Sequence, residues 1–83
     1  MIEVLIYSRS GCHLCDIAEE KLNELKPSLQ FNLEKRLIDG DLELEREFGE
    51  KVPVIFINGA PHDYWRVNPE RFIKAISEIK ASQ

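Results

Sequence analysis

The chain is short of thiols, of positive charge and of long apolar runs, and each shortage excludes something. Two cysteines in 83 residues cannot build the multi-bridge scaffold of a small secreted domain. Eleven lysines and arginines against fifteen aspartates and glutamates leave a formal charge of −4. A nucleic-acid binder is expected to show a basic stripe instead, and an anionic membrane surface is disfavoured for the same reason. No apolar run approaches the ~20 residues of a bilayer span. Gly and Pro are few, and the apolar 43% of the chain comes in periodic runs, which argues against disorder. So short a chain supports one core, hence one domain over residues 1–83. Its apolar opening, Met1 to Ile6, lacks a basic leader and breaks at Arg9. It therefore reads as a buried strand, not a targeting segment. A cytoplasmic monomer without nucleic-acid or membrane partners is expected.

What is present is a regular alternation of elements. Ile2–Tyr7 is nearly all apolar and predicts a strand buried on both faces. Ser8 to Gly11 is a turn. Leu14, Ile17, Ala18, Leu22 and Leu25 are spaced as one helical stripe, with Pro27 as its stop. A more polar strand from Phe31 to Ile38 ends at Asp39-Gly40-Asp41. Leu42, Leu44 and Phe48 predict a short helix closed by Gly49. Val52–Ile57 is a third strand, and Asn58-Gly59 signals a hairpin. The return strand is expected at Asp63–Val67, after an extra stretch at 60–62. Asn68 and Pro69 open a last helix as N-cap and first residue. Its inner face is Phe72, Ile73, Ile76 and Ile79, and its tail, 81–83, should fray. The order is β-α-β-α-β-β-α. The first β-α-β implies a parallel pair with a right-handed crossover, and the hairpin an antiparallel one. The fold class is thus α/β, a four-stranded mixed sheet flanked by three helices.

Cys12-His13-Leu14-Cys15 stands where the first strand turns into the first helix. A thiolate, not a thiol, attacks disulfides, and a helix N-terminus offers unpaired N–H groups and a positive dipole end to stabilise one. Cys12 is placed as nucleophile. Cys15, one turn deeper on the same side, is placed to resolve a mixed disulfide. His13, if protonated, and Arg9 would add positive charge as modulating residues. Other uses of the pair stay open. A zinc site usually needs four protein ligands, and His13 and His62 are the only histidines to add. A purely structural disulfide would close too short a loop to stabilise much. An iron–sulfur cluster would have to be shared between two protomers.

These motifs in this order resemble the glutaredoxin-like proteins of the thioredoxin-fold superfamily, over essentially the whole chain. The similarity rests on the strand Ile2–Tyr7, Gly11-Cys12-His13-Leu14-Cys15, Val52-Pro53-Val54, the Asn58-Gly59 hairpin and the final helix. It is nearest the small group with a Cys-His-Leu-Cys motif and a Trp-Arg pair, here Trp65-Arg66. The resemblance implies a thiol–disulfide oxidoreductase acting on a disulfide-containing protein or small molecule, with no resident cofactor. It implies a cis Val52-Pro53 bond, and Val52, Pro53 and Leu14 as substrate-binding residues, the Val52 backbone pairing with an extended substrate. The reductant would be glutathione, as co-substrate, or a thioredoxin reductase. Typical glutaredoxins carry Pro-Tyr between the cysteines, Thr before Val-Pro and Gly-Gly-Asp after the hairpin. This chain has His13-Leu14, Lys51 and Asp63-Tyr64-Trp65-Arg66. Arg9, Lys51 and Arg66 are the basic residues that could hold glutathione carboxylates. A vestigial cysteine pair on a non-catalytic binding module is the rival reading. His62 reads as a solvated loop residue, Trp65 as packing, and Glu43, Glu45, Glu47 and Glu50 as the wet face of the second helix.

Overall fold

The computed structural model describes residues 2–82, so the fraying expected at Gln83 lies outside the described residues. The central strand is β1 (Ile2–Ser8). It pairs in parallel with β2 (Phe31–Leu37), Ile2 opposite Phe31 and Ser8 opposite Leu37. On its other side it pairs antiparallel with β3 (Val54–Ile57), and β3 with β4 (Ala60–Tyr64). The sheet order is β2-β1-β3-β4, and with α1 (His13–Leu29), α2 (Leu42–Phe48) and α3 (Pro69–Ala81) it is the expected β-α-β-α-β-β-α arrangement. None of the described helices is long and apolar enough to cross a membrane.

The two faces of the sheet carry separate cores. Alternation along a strand sends Ile2, Val4 and Ile6 to one face, where they meet Ile55 and Ile57 of β3, Ala18 and Leu22 of α1, and Phe72 and Ile76 of α3. Phe31 and Phe72 close this core edge to face at 5.3 Å. The opposite face gathers Tyr7, Phe48 and Phe56, with ring centroids 5.2–5.9 Å apart. They belong to a second cluster with Cys15, Ile38, Val52 and Val54. The β1 strand is therefore not buried evenly. Its residues alternate between buried and less buried, and Glu3 is exposed.

Three local expectations change. Pro27 does not stop α1, which runs on to Leu29. The proline lies in the last turn, Leu25 and Leu29 pack against the first core, and Lys80 Nζ donates to the Leu29 carbonyl. The helix ends instead at Gln30, in the left-handed conformation (φ 55°), whose N–H returns to the Lys26 carbonyl. Gly49 does close α2, but in right-handed helical geometry (φ −52°). The return strand starts at Ala60, with no extra stretch. Asn58 and Gly59 both take positive φ (49° and 84°), which makes the two-residue turn whose twist matches the strands. Asn58 is also tied to Glu3 through its backbone N–H and its side-chain oxygen. Pro61 is tolerated because β4 is an edge strand. In α3, Phe72 and Ile76 are buried, Ile73 is 39% exposed, and Ser82 caps the last carbonyls. Asn68 Oδ1 accepts from Arg71 N–H, as its N-cap role requires.

Candidate functional site

The C-terminal end of β1, the start of α1 and the segment after α2 meet around the second core. Between β1 and α1 the chain is held from several sides. Ile38 N–H donates to the Ser8 carbonyl at 2.9 Å, and Cys12 N–H to the Arg9 carbonyl at 3.3 Å. Ser10 N–H donates to the Asp39 carboxylate at 3.2 Å. The Ser10 hydroxyl and N–H, helped by the charge of Arg9, hold the Asp39 carboxyl below its ordinary range. The Arg9 guanidinium itself donates to the Gly49 carbonyl at 3.0 Å. Arg9 is thus engaged with the C-terminal end of α2, whose exposed carbonyl is a natural partner for a cation. Gly11, at φ 72°, makes the bend that delivers Cys12 to the helix end.

Cys12 is the N-cap of α1. Its Sγ accepts a hydrogen bond from the Cys15 N–H at 3.1 Å, as a capping oxygen would. The two cysteines form a disulfide, with Cα atoms 5.2 Å apart. Their access differs: Cys12 is half-buried, whereas Cys15 is 1% exposed. His13 and Leu14, between them, both face solvent. The structure brings Val52 to this pair, since it shares the second core with Cys15 while Cys12 packs against that core. The Val52-Pro53 bond is cis. Val52 N–H donates to the Phe48 carbonyl at 3.1 Å, and the Pro53 side chain is fully buried. No backbone N–H of a turn, loop or cap among the described residues donates to the Val52 carbonyl.

Two aromatic-ring residues stand elsewhere than expected. His62 lies in β4, its ring edge to face with Phe72 at 5.9 Å. Its Nε2 is buried with no hydrogen-bond partner among the described residues. Burial pushes its pKa down, the Arg71 charge adds to that, and Asp63 opposes both. Trp65 is not core packing: it is 56% exposed and falls just past the end of β4, at φ 67°. Its N–H donates to the carbonyls of Pro53 (2.8 Å) and Lys51 (3.1 Å), and its indole N–H to that of Glu50 (2.9 Å). The signal in the sequence was Asn58-Gly59: a return strand beginning at once ends before Trp65. Leu14, Ile17, Lys21, Trp65 and Arg66 line a groove of about 140 Å³. Among the described residues no three His, Cys, Asp or Glu side chains gather as metal ligands.

Comparison with known proteins agrees with the fold. Residues 3–77 match the family model described as Glutaredoxin-like domain (DUF836). The uncharacterized protein Rv0508 of Mycobacterium tuberculosis is 34% identical over 74 residues, covering 83% of this chain and 76% of that protein. The solution structure of protein Ne2328 from Nitrosomonas europaea superposes with a TM-score of 0.79 at 28% identity, over 89% of each chain. Oxidised thioredoxin from Plasmodium falciparum superposes at 0.62 with 14% identity, over 94% of this chain and 80% of that one. At that identity the likeness is one of fold.

Proposed function

The chain belongs to the glutaredoxin-like domain family, and from that premise we propose that it is a thiol–disulfide oxidoreductase working through Cys12 and Cys15. The observation that carries this reading is the capped sulfur. In the reduced protein the N–H group aimed at Cys12 Sγ, together with the helix dipole, favours the thiolate over the thiol.

The reaction is then a pair of exchanges. The Cys12 thiolate attacks one sulfur of a substrate disulfide, forms a mixed disulfide and expels the other sulfur as a thiolate, which takes a proton from water. Cys15 gives up its proton to solvent, attacks Cys12 Sγ and releases the second substrate thiol. Two electrons have passed to the substrate and the Cys12–Cys15 disulfide is formed. The buried sulfur suits the second step, because only a partner already bound to Cys12 is within its reach. A thiol reductant, glutathione or a thioredoxin reductase, reverses the exchange to restore the dithiol. We place the cycle in the cytoplasm, where such reductants are kept reduced. The substrate is a disulfide-containing protein or small molecule lying against Leu14 and the Val52 carbonyl.

The test is reduction of a disulfide substrate by the pre-reduced protein, with Cys12→Ser as control, alongside the pH dependence of Cys12 alkylation. Activity lost in Cys12→Ser is the expected result. Absence of exchange in the wild type, with alkylation half-maximal only at about pH 8.5, the value of an unperturbed thiol, would refute the reading.

A further inference from the structure

A bulky side chain in the left-handed conformation is rare, because Cβ crowds the backbone there; Gly, and to a lesser extent Asn, enter it far more easily. Such a residue persists where its surroundings over-determine it, and these positions cluster at ligand clamps. Trp65 is such a residue, at φ 67°. Burial does not explain it, since over half of the side chain is exposed. What holds it is a set of hydrogen bonds to one short segment. The backbone N–H is shared between the Lys51 and Pro53 carbonyls, and the indole N–H closes on Glu50. The residues so clasped flank Val52. Phe48 holds the same segment from the α2 side, accepting from both Lys51 and Val52 N–H. Trp65 shares with Leu14, Ile17 and Arg66 the lining of the groove beside the cysteine motif.

We propose that Trp65 is the positioning residue of this site. It locks segment 50–53 at a fixed height over the cysteine pair, so that the Val52 carbonyl meets an extended substrate in register, and it gives that substrate one wall of the Leu14 groove. This rests on the thiol–disulfide reading above, and on the substrate lying along Val52. A small dithiol that touches only sulfur does not use the clasp. A disulfide within an extended peptide does.

Two variants separate the parts. Trp65→Phe removes the indole donor while keeping an aromatic, though smaller, side chain at the groove. Trp65→Gly relieves the φ and removes the wall while keeping the backbone N–H. The measurements are kcat and KM with a peptide carrying an internal disulfide, the rate at which dithiothreitol reduces the oxidised protein, and amide hydrogen exchange at residues 50–52. For Trp65→Phe we expect KM to rise by up to about tenfold with kcat within about twofold, the net worth of one hydrogen bond passed on to binding through the position of segment 50–53. Exchange at 50–52 quickens and the dithiothreitol rate stays put. Trp65→Gly raises KM further; if that variant does not fold, Trp65→Phe decides alone. KM unchanged, exchange unchanged, or a parallel fall in the dithiothreitol rate would each overturn the proposal while leaving the wild type active. A wild type inactive on every disulfide sinks the thiol–disulfide reading itself, and the positioning role with it.

Discussion

The backbone N–H of Cys15 points at the sulfur of Cys12 from 3.1 Å, while the sulfur of Cys15 is sealed in the second core at 1% exposure. One residue thus aims its amide at its partner's sulfur and buries its own. The two thiols should differ sharply once reduced. In the dithiol protein at pH 7, iodoacetamide should modify Cys12 at least about tenfold faster than Cys15, since reactivity follows thiolate fraction and access. Peptide mass mapping against time checks this. Equal rates would mean that the asymmetry of the site is lost on reduction.

The helical stripe separates into two rows with different duties. Cys15, Ala18 and Leu22 are the buried row, and Leu14 and Ile17, at 55% and 49% exposure, form the row beside it. Leu22→Ala should cost roughly 2–5 kcal/mol in urea unfolding, as deletion of a fully buried leucine does. Leu14→Ala should stay within ~0.5 kcal/mol of wild type. Its effect belongs in KM for a disulfide substrate. A large stability loss for Leu14→Ala would place that side chain inside the fold, not on its working surface.

That division was only half visible in the sequence. Periodicity finds an apolar stripe, but its two rows are offset by a single residue, Leu14 and Ile17 beside Cys15, Ala18 and Leu22, and nothing local says which row turns inward. Signals with a local cause were legible. The run Ile2–Tyr7, Cys12 at a strand-to-helix junction, the Asn58-Gly59 turn and Asn68-Pro69 each carry their own geometry. What was hidden depends on distant partners. Arg9 reaches Gly49 across 40 residues. Pro27 is carried inside a helix because Leu29 packs on the core and Lys80 binds its carbonyl. Trp65 adopts a conformation its own type disfavours because the 50–53 segment receives its N–H groups.

Ser8 offers a test of hydrogen-bond accounting next to the site. It ends β1 fully buried, and its hydroxyl has no partner among the described residues. An unsatisfied buried hydroxyl forfeits its water without return. Ser8→Ala should leave stability unchanged or raise it by up to ~1 kcal/mol, since no other polar group is orphaned. Denaturant midpoints at constant slope are the measurement. A loss above ~1 kcal/mol would reveal a bound water or side chain serving that oxygen.

Two groups with lowered pKa values contribute to the acid limb of stability, and their signs can be worked out separately. His62 has its pKa lowered from the ordinary 6.5, chiefly by burial, with Arg71 adding to the shift. Below 6.5 the unfolded chain therefore binds a proton that the folded chain resists, so stability rises with pH there. The stabilising effect is complete above about 6.5 and is lost as pH falls from that value through the folded one. Asp39 has its pKa lowered from 3.8 by the Ser10 hydroxyl and N–H. Its contribution is present above 3.8 and lost as pH falls below that, through the folded value. The melting temperature should accordingly decline in two windows on acidification. His62→Leu should flatten the upper window and leave the lower one, because the substitution removes the imidazole and its unpartnered Nε2 together. Asp39→Asn should flatten the lower window and leave the upper. That variant should also loosen the Ser8–Gly11 turn that delivers Cys12, so the rate of Cys12 alkylation should change in Asp39→Asn and not in His62→Leu. A melting curve with the same acid slope in His62→Leu as in wild type would mean that the imidazole titrates alike in the folded and unfolded chain.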